Sequence, residues 1–357
     1  MAEFKPREGL ILGLGNPIMD LVSVVDDDFL NQWHLQLNVL NRGGPLQEGI
    51  EHDLLANYQV EYIAGGSVQN TLRIIQWIFN YHPHMCTLLG SVGDDDIGKR
   101  MIDEVEKNQI NAVFQTNLNC SSGRCLALIT HDGQCRTMCS LGGAHRYLKR
   151  DHITENLAFI DRAKIIYTTV LMFSSGEDAL IELVENIKKL EDKIFCLNLG
   201  ANVTIGMKFS QIERIIPFTD VIFGNDSELR EYARRKKWPD GDLFLIIRKL
   251  LEIDDRKDST KTRMIIITQG SEPVLVGTKS HGVTEFPVST LKQSEIKDTI
   301  GAGDAFVAGF LSQMVMQKSL DQCIQMAIWT AQEIIKQSGC CPPQHSCKPP
   351  KFPILNR

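Results

Sequence analysis

Asp298-Thr299-Ile300-Gly301-Ala302-Gly303-Asp304-Ala305-Phe306 runs straight into Val307-Ala308-Gly309-Phe310-Leu311, so small residues lead directly into an apolar helix. The first backbone N–H groups of a helix have no partner inside it, and residues as small as Gly301, Ala302 and Gly303 leave them open to an anion. Asp304 falls in the first helical turn. A carboxylate there suits the base that takes the proton of an attacking hydroxyl in phosphoryl transfer. The same residues also suit a purely structural purpose, an N-capping aspartate with glycines for close packing. On this segment alone the two readings balance.

Around it, apolar runs predict strands over 9–15 (closing at Asn16-Pro17), 85–89, 165–168, 195–199, 221–223 and 264–268. Helical periodicity is expected over 70–79, 97–107, 175–190, 302–316 and 320–337, the last stopped by Gly339. Strands that alternate with helices imply an α/β fold, a mostly parallel sheet with helices on both faces. Two stretches, 21–64 and 120–141, break the alternation. In the second, Leu126–Ile129 and Arg136–Leu141 flank Asp132-Gly133, a hairpin signal. The two excursions are expected to pair as a small β-lid. A further hairpin is expected at 273–286, and the last 18 residues, with five of the 13 prolines, read as irregular.

Composition narrows the function. A chain of 357 residues, 43% hydrophobic and 23% charged, buries a sizeable core. Its 38 basic residues are outnumbered by 44 acidic ones, which argues against nucleic acid as a partner. No apolar run approaches the ~20 residues that span a bilayer, so no membrane partner is expected. The opening MAEFKPREGLILGLGN has neither a secretory apolar core nor a transit-peptide composition. The ten cysteines contain no C-x-x-C pair and read as reduced thiols, which implies a cytoplasmic setting and leaves nuclear presence open. Arg234-Arg235-Lys236-Lys237 reads as the cationic end of a helix.

One apparent motif is false. Gly93-Asp94-Asp95-Asp96-Ile97-Gly98-Lys99-Arg100 has P-loop spacing, but three aspartates would repel phosphates and Arg100 replaces the metal-ligating hydroxyl. Those aspartates suit the start of a helix instead.

Five segments, in order over nearly the whole chain, resemble the ribokinase-like (PfkB) kinases, and within them the members that phosphorylate adenosine. They are Gly15-Asn16-Pro17-Ile18-Met19-Asp20, then Glu61-Tyr62-Ile63-Ala64-Gly65-Gly66-Ser67-Val68-Gln69-Asn70 with Gln76-Trp77, then Gly93–Gly98. Phe223-Gly224-Asn225-Asp226-Ser227-Glu228, with its N-x-x-E spacing, and Asp298–Asp304 complete the set. The resemblance implies a ribokinase-like three-layer sandwich. Its large α/β catalytic domain would take residues 1–17, 65–114 and 143–357, and a small lid 18–64 and 115–142.

The implied reaction is ATP-dependent phosphorylation of adenosine at the 5′-hydroxyl, giving AMP and ADP, a step of purine salvage. Asp304 is implied as general base, with Gly301, Ala302 and Gly303 as anion hole and Arg136 approaching the phosphates. Asp20 would accept the ribose hydroxyls, with Asn16, Gly65, Gly66, Ser67 and Asn70 alongside. Asn225 and Glu228 would organise Mg²⁺ through water, and Asn225, Thr268, Gln269, Gly270 and Thr299 would border ATP. A monomer is implied. The sequence departs from the family at Ile300, where Asn is usual, and in the lid around Asn38–Arg42, which lacks an expected glutamine. Two rival readings stand beside this one: a kinase of the same family acting on another nucleoside or a sugar, and a catalytically weak adenosine-binding protein.

Overall fold

Residues 4–131, 135–190, 192–253 and 263–350 are described by the structure, a computed structural model. Nine strands make the larger sheet, in the order Gly282–Phe286, Glu272–Thr278, Met264–Gln269, Val221–Asn225, Ile194–Asn198, Ile165–Thr169, Ile11–Leu14, Cys86–Gly93 and Ile110–Asn117. The last seven run parallel, and the 272–286 hairpin adds two antiparallel strands at one edge.

Continuous apolar runs such as Ile11–Leu14 are what a strand covered on both faces requires. Their side chains divide by the period of two. Leu12, Leu14, Ile166, Leu197, Ile265 and Ile267 face one core with helices Glu177–Ile187, Asp226–Arg235 and Leu243–Leu251. Ile11, Ile165, Tyr167, Cys196 and Ile266 face the other, with helices Ser67–Ile78, Ala302–Val315 and Leu320–Ile335. This is the expected three-layer sandwich.

The second sheet has five strands, ordered Leu40–Arg42, Cys135–Gly142, Gly123–Thr130, Ile18–Val24 and Glu61–Gly65. The two excursions join through Ile18–Val24, which pairs in parallel with 123–129 and antiparallel with Glu61–Gly65. Met19 and Leu21 turn into a separate core with Phe29, Leu30, Ile50, Leu54, Leu126 and Leu128. Asp20 lies on the opposite face of that strand, as alternation demands.

Several boundaries differ from expectation. The strand Ile110–Asn117 belongs to the larger sheet, so the division expected after residue 114 falls inside a strand. Helices Asp27–Gln32 and Ile50–Asn57 occupy the first excursion, where apolar residues close the smaller core. Asp132-Gly133 lies outside the described residues. The prolines after Gly339 leave 340–350 without helix or strand, as expected.

Candidate active site

Gly301 caps the Ala302–Val315 helix with φ +77°, and a Cβ there would overlap the Cys340 side chain. Both facts require glycine at this position. At Gly303 an added Cβ would meet nothing, so the helix start opens to space. The helix start is therefore open at Gly303, while Gly301 packs on Cys340 and the Ala302 N–H donates to the Thr299 carbonyl at 3.2 Å.

Asp304 follows in the first turn, and its carboxylate is fixed from a second helix. Ser67 Oγ donates to Oδ1 at 2.6 Å and Asn70 Nδ2 donates to Oδ2 at 3.0 Å. Thr71 Oγ1 donates to the Asp304 carbonyl at 3.3 Å. Burial raises the Asp304 carboxyl to about 6, against the opposing pull of these two side-chain hydrogen bonds and the Arg73 charge. A base that titrates just below neutrality matches proton abstraction at physiological pH. Ser67 and Asn70 thus hold the candidate base itself.

The donor helix Ser67–Ile78 starts where the smaller sheet ends. Gly66 has φ +103°, and a Cβ on it would overlap the Asn16 carbonyl. At Gly65 a Cβ would stand 2.6 Å from Asp20 Oδ2. The glycine pair therefore exists to let two backbones and one carboxylate approach. Asn16 accepts a hydrogen bond from Ser175 Oγ at 2.7 Å, so its side chain is anchored on the larger domain.

Asp20 differs from Asp304 in one respect. Among the described residues nothing donates a hydrogen bond to its carboxylate. Burial again raises it to about 6, while the charges of Arg136 and Arg73 draw it down. Acceptor oxygens left open in a desolvated place suit a ligand that brings its own donors, such as a vicinal diol.

Asn225 and Glu228 form a reciprocal capping box at the Asp226–Arg235 helix. Asn225 Oδ1 accepts from the Glu228 N–H at 2.9 Å, and Glu228 Oε2 accepts from the Asn225 N–H at 3.0 Å. Asn225 Nδ2 also donates to Glu228 Oε1 at 3.0 Å. Glu228 is 8% exposed, and burial raises its pKa. Both residues line a cavity of about 230 Å³ together with Gly301, Ala302, Gly303, Asp304 and Thr268. It meets a larger, mostly apolar cavity of about 460 Å³ along Thr268, Thr299, Ala302, Gly303 and Phe306. Gly270 lines only the larger one.

Two expected residues behave differently. Gln269 lines neither cavity, because the tight turn folds its amide back onto the Pro273 carbonyl at 2.6 Å. Arg136 reaches the glycine loop through Asp298, with Nη1 to Oδ2 at 2.8 Å. Asp298 also accepts from the N–H groups of Ile300 at 2.9 Å and Gly339 at 3.0 Å. Ile300 itself is 38% exposed and makes no polar replacement for an asparagine.

Sequence reasoning missed Asp298 as an anchor, Arg73 as a buried cation and Tyr167 beneath the base. The Tyr167 hydroxyl is pushed up by burial and by Asp304. An arginine three residues after Asn70, set between Leu72 and Ile74-Ile75 on the buried run of the helix, was the available signal for the second of these.

The chain has known relatives. The pattern of the pfkB family of carbohydrate kinases matches residues 40–347. Adenosine kinase 2 of Arabidopsis thaliana is 31% identical over 96% of this chain and 99% of its own length. The adenosine kinase of Saccharomyces cerevisiae is 30% identical over 91% of this chain and 94% of its own. Among solved structures, Anopheles gambiae adenosine kinase in complex with P1,P4-di(adenosine-5) tetraphosphate superposes with a TM-score of 0.85 at 33% identity, covering 95% of this chain and all of that one. With matches of this extent the chain belongs to the pfkB carbohydrate kinase family, among its adenosine kinases.

Proposed function

We propose that this chain transfers the γ-phosphoryl group of MgATP to the 5′-hydroxyl of adenosine, giving AMP and ADP. The observation that carries the reading is the Asp304 carboxylate, held by Ser67 and Asn70 at the mouth of an open helix N-terminus. Asp304 takes the 5′-hydroxyl proton as the O5′–Pγ bond forms. The bond from Pγ to the β–γ bridging oxygen breaks, and ADP leaves with that electron pair. The N–H groups at Gly301 and Gly303 face the charge on the transferring group, a contribution commonly worth several kcal/mol, while that of Ala302 is held by the Thr299 carbonyl and would have to turn from it to join them. No covalent enzyme intermediate is needed.

Asp20 takes the ribose diol, beside Gly65 and Gly66. Thr268, Gly270 and Thr299 border the donor nucleotide, whose base suits the apolar cavity. Mg²⁺ bound with ATP would supply neutralisation of the phosphate charge, and Asn225 and Glu228 are the residues that would hold it. The donor set fits an outer-sphere contact. The Asn225 amide and Glu228 carboxylate already satisfy each other, and among the described residues no group of three His, Cys, Asp or Glu could hold a metal. Glu228 would therefore orient the hydrated ion through water.

The segments that build the smaller sheet, within 18–65 and 118–142, act as a lid whose closure excludes water from the transfer. The protein works as a monomer in the cytoplasm, a setting supported by ten free cysteines. No described helix is long and apolar enough to cross a membrane.

The test is product analysis with the purified chain, ATP and Mg²⁺ against adenosine, inosine, guanosine and ribose. AMP formed faster than any other product is expected. Faster turnover of ribose or another nucleoside would assign a sister kinase, and tight adenosine binding without AMP would assign a binding protein.

A further inference from the structure

Arg73 is a buried cation, 8% exposed, that touches three separate parts of the site. Its Nη1 donates to the Ala64 carbonyl at 2.8 Å, at the end of the strand that leads into Gly65 and Gly66. One Nη2 hydrogen bond goes to Asn70 Oδ1 at 2.9 Å, on the amide whose nitrogen holds Asp304. Another goes to the Cys340 carbonyl at 2.6 Å. Cys340 in turn packs on Gly301, and its Sγ donates to the Gly301 carbonyl at 3.8 Å. The neighbouring Gly339 N–H anchors Asp298. One planar fork thus links the diol pocket, the base and the anion hole, a geometry that an ammonium cannot copy.

We infer that Arg73 is the positioning residue of the transfer: it fixes Asn70, and through Asn70 the Asp304 carboxylate, in register with the Gly301 helix start, which it holds by way of the segment around Cys340. The inference rests on the kinase reading above. Neither carboxylate pairs with Arg73 directly. Its charge acts on both across the pocket, and the other titratable groups that feel Arg73 or either carboxylate are Arg136 and Cys125 from the smaller sheet, Tyr167 from the larger one, Tyr81 beyond the helix end and Cys340.

Arg73→Gln removes charge and fork together, and Arg73→Lys keeps the charge and loses the fork. With wild type forming AMP, Arg73→Gln is expected to lower kcat at least about tenfold while the KM for ATP stays within about threefold. Losing a nearby cation raises a carboxylate pKa, so the acid limb of its kcat/KM profile moves up by about half a pH unit or more. Arg73→Lys should keep the limb in place yet lose kcat about fivefold or more. A limb that stays put in folded Arg73→Gln, or full kcat in Arg73→Lys, overturns the inference. Where Arg73→Gln does not fold, the Arg73→Lys result decides alone. Wild type that forms no AMP overturns the kinase reading instead.

Discussion

Arg136 and Asp298 stand 2.8 Å apart, a guanidinium from the smaller sheet against a carboxylate from the loop ahead of the Ala302–Val315 helix. Both side chains are mostly buried, so the pair feels less solvent screening than a surface bridge. Arg136 is therefore tied to the loop that shapes the anion hole before any phosphate arrives. Arg136→Gln and Asp298→Asn are each expected to lower kcat/KM about tenfold or more. The double variant should lose less than the product of the two, with a coupling of about 1–3 kcal/mol. Losses that multiply across the four-enzyme cycle would show that the pair does not act as a unit.

Asp304→Asn keeps the shape of the residue and removes its basicity. Turnover should fall by about 10²–10⁴-fold with nucleoside binding largely retained. Single-turnover AMP formation measures this, and a fall of less than about tenfold would remove Asp304 from the role of base.

The two raised carboxyls set the pH response. Burial pushes both Asp304 and Asp20 up to about 6, and the roles proposed for them use the ionised form. The rate is expected to decline as pH drops below about 6. Stability runs the other way. For an acid whose folded pKa lies above its unfolded value, the ionised form costs stability above the folded pKa, and the cost is relieved as pH falls through it. Asp20→Asn should therefore stabilise the fold at pH 8 by on the order of 1–3 kcal/mol, seen as a higher thermal midpoint, and the gap should close as pH drops from 7 towards 4. The same variant should raise the KM for adenosine and leave the KM for ATP nearly unchanged. An equal adenosine KM would refute the diol contact.

Asn225 and Glu228 combine a helix cap with a place on the cavity wall. Glu228→Gln keeps one oxygen acceptor for the Asn225 N–H and removes the charge. The Mg²⁺ concentration for half-maximal rate should rise several-fold, with the melting temperature changed little. Asn225→Ala should cost about 1 kcal/mol of stability through the lost cap. Magnesium titrations unaffected by Glu228→Gln would leave the pair a cap and nothing more.

The larger sheet was readable because strands covered on both faces must be continuous apolar runs, as at Ile165–Thr169 and Met264–Gln269. Ile110–Asn117 escaped because it is an edge strand whose residues are mostly half-buried. Ile18–Val24 was hidden behind Asn16-Pro17, which reads locally as a turn, although Met19 and Leu21 alternate with Asp20 as a strand should. The residues of the glycine loop were legible because their chemistry is local. Arg73 was not, since its partners at Ala64 and Cys340 come from positions 9 and 267 residues away. The side-chain amide of Gln269 was not legible either, for the opposite reason, a contact with Pro273 only four residues on.

The proposed acceptor for the diol belongs to a strand of one sheet, and the proposed acceptor for the proton to a helix packed on the other. On that proposal the span between Asp20 and Asp304 would serve as a ruler laid along the sugar. A ribose seated by its 2′ and 3′ oxygens would offer its 5′ oxygen at the far mark. The position phosphorylated would then be chosen by length, and a nucleoside with a longer or shorter arm at that carbon would be refused without any clash at its base.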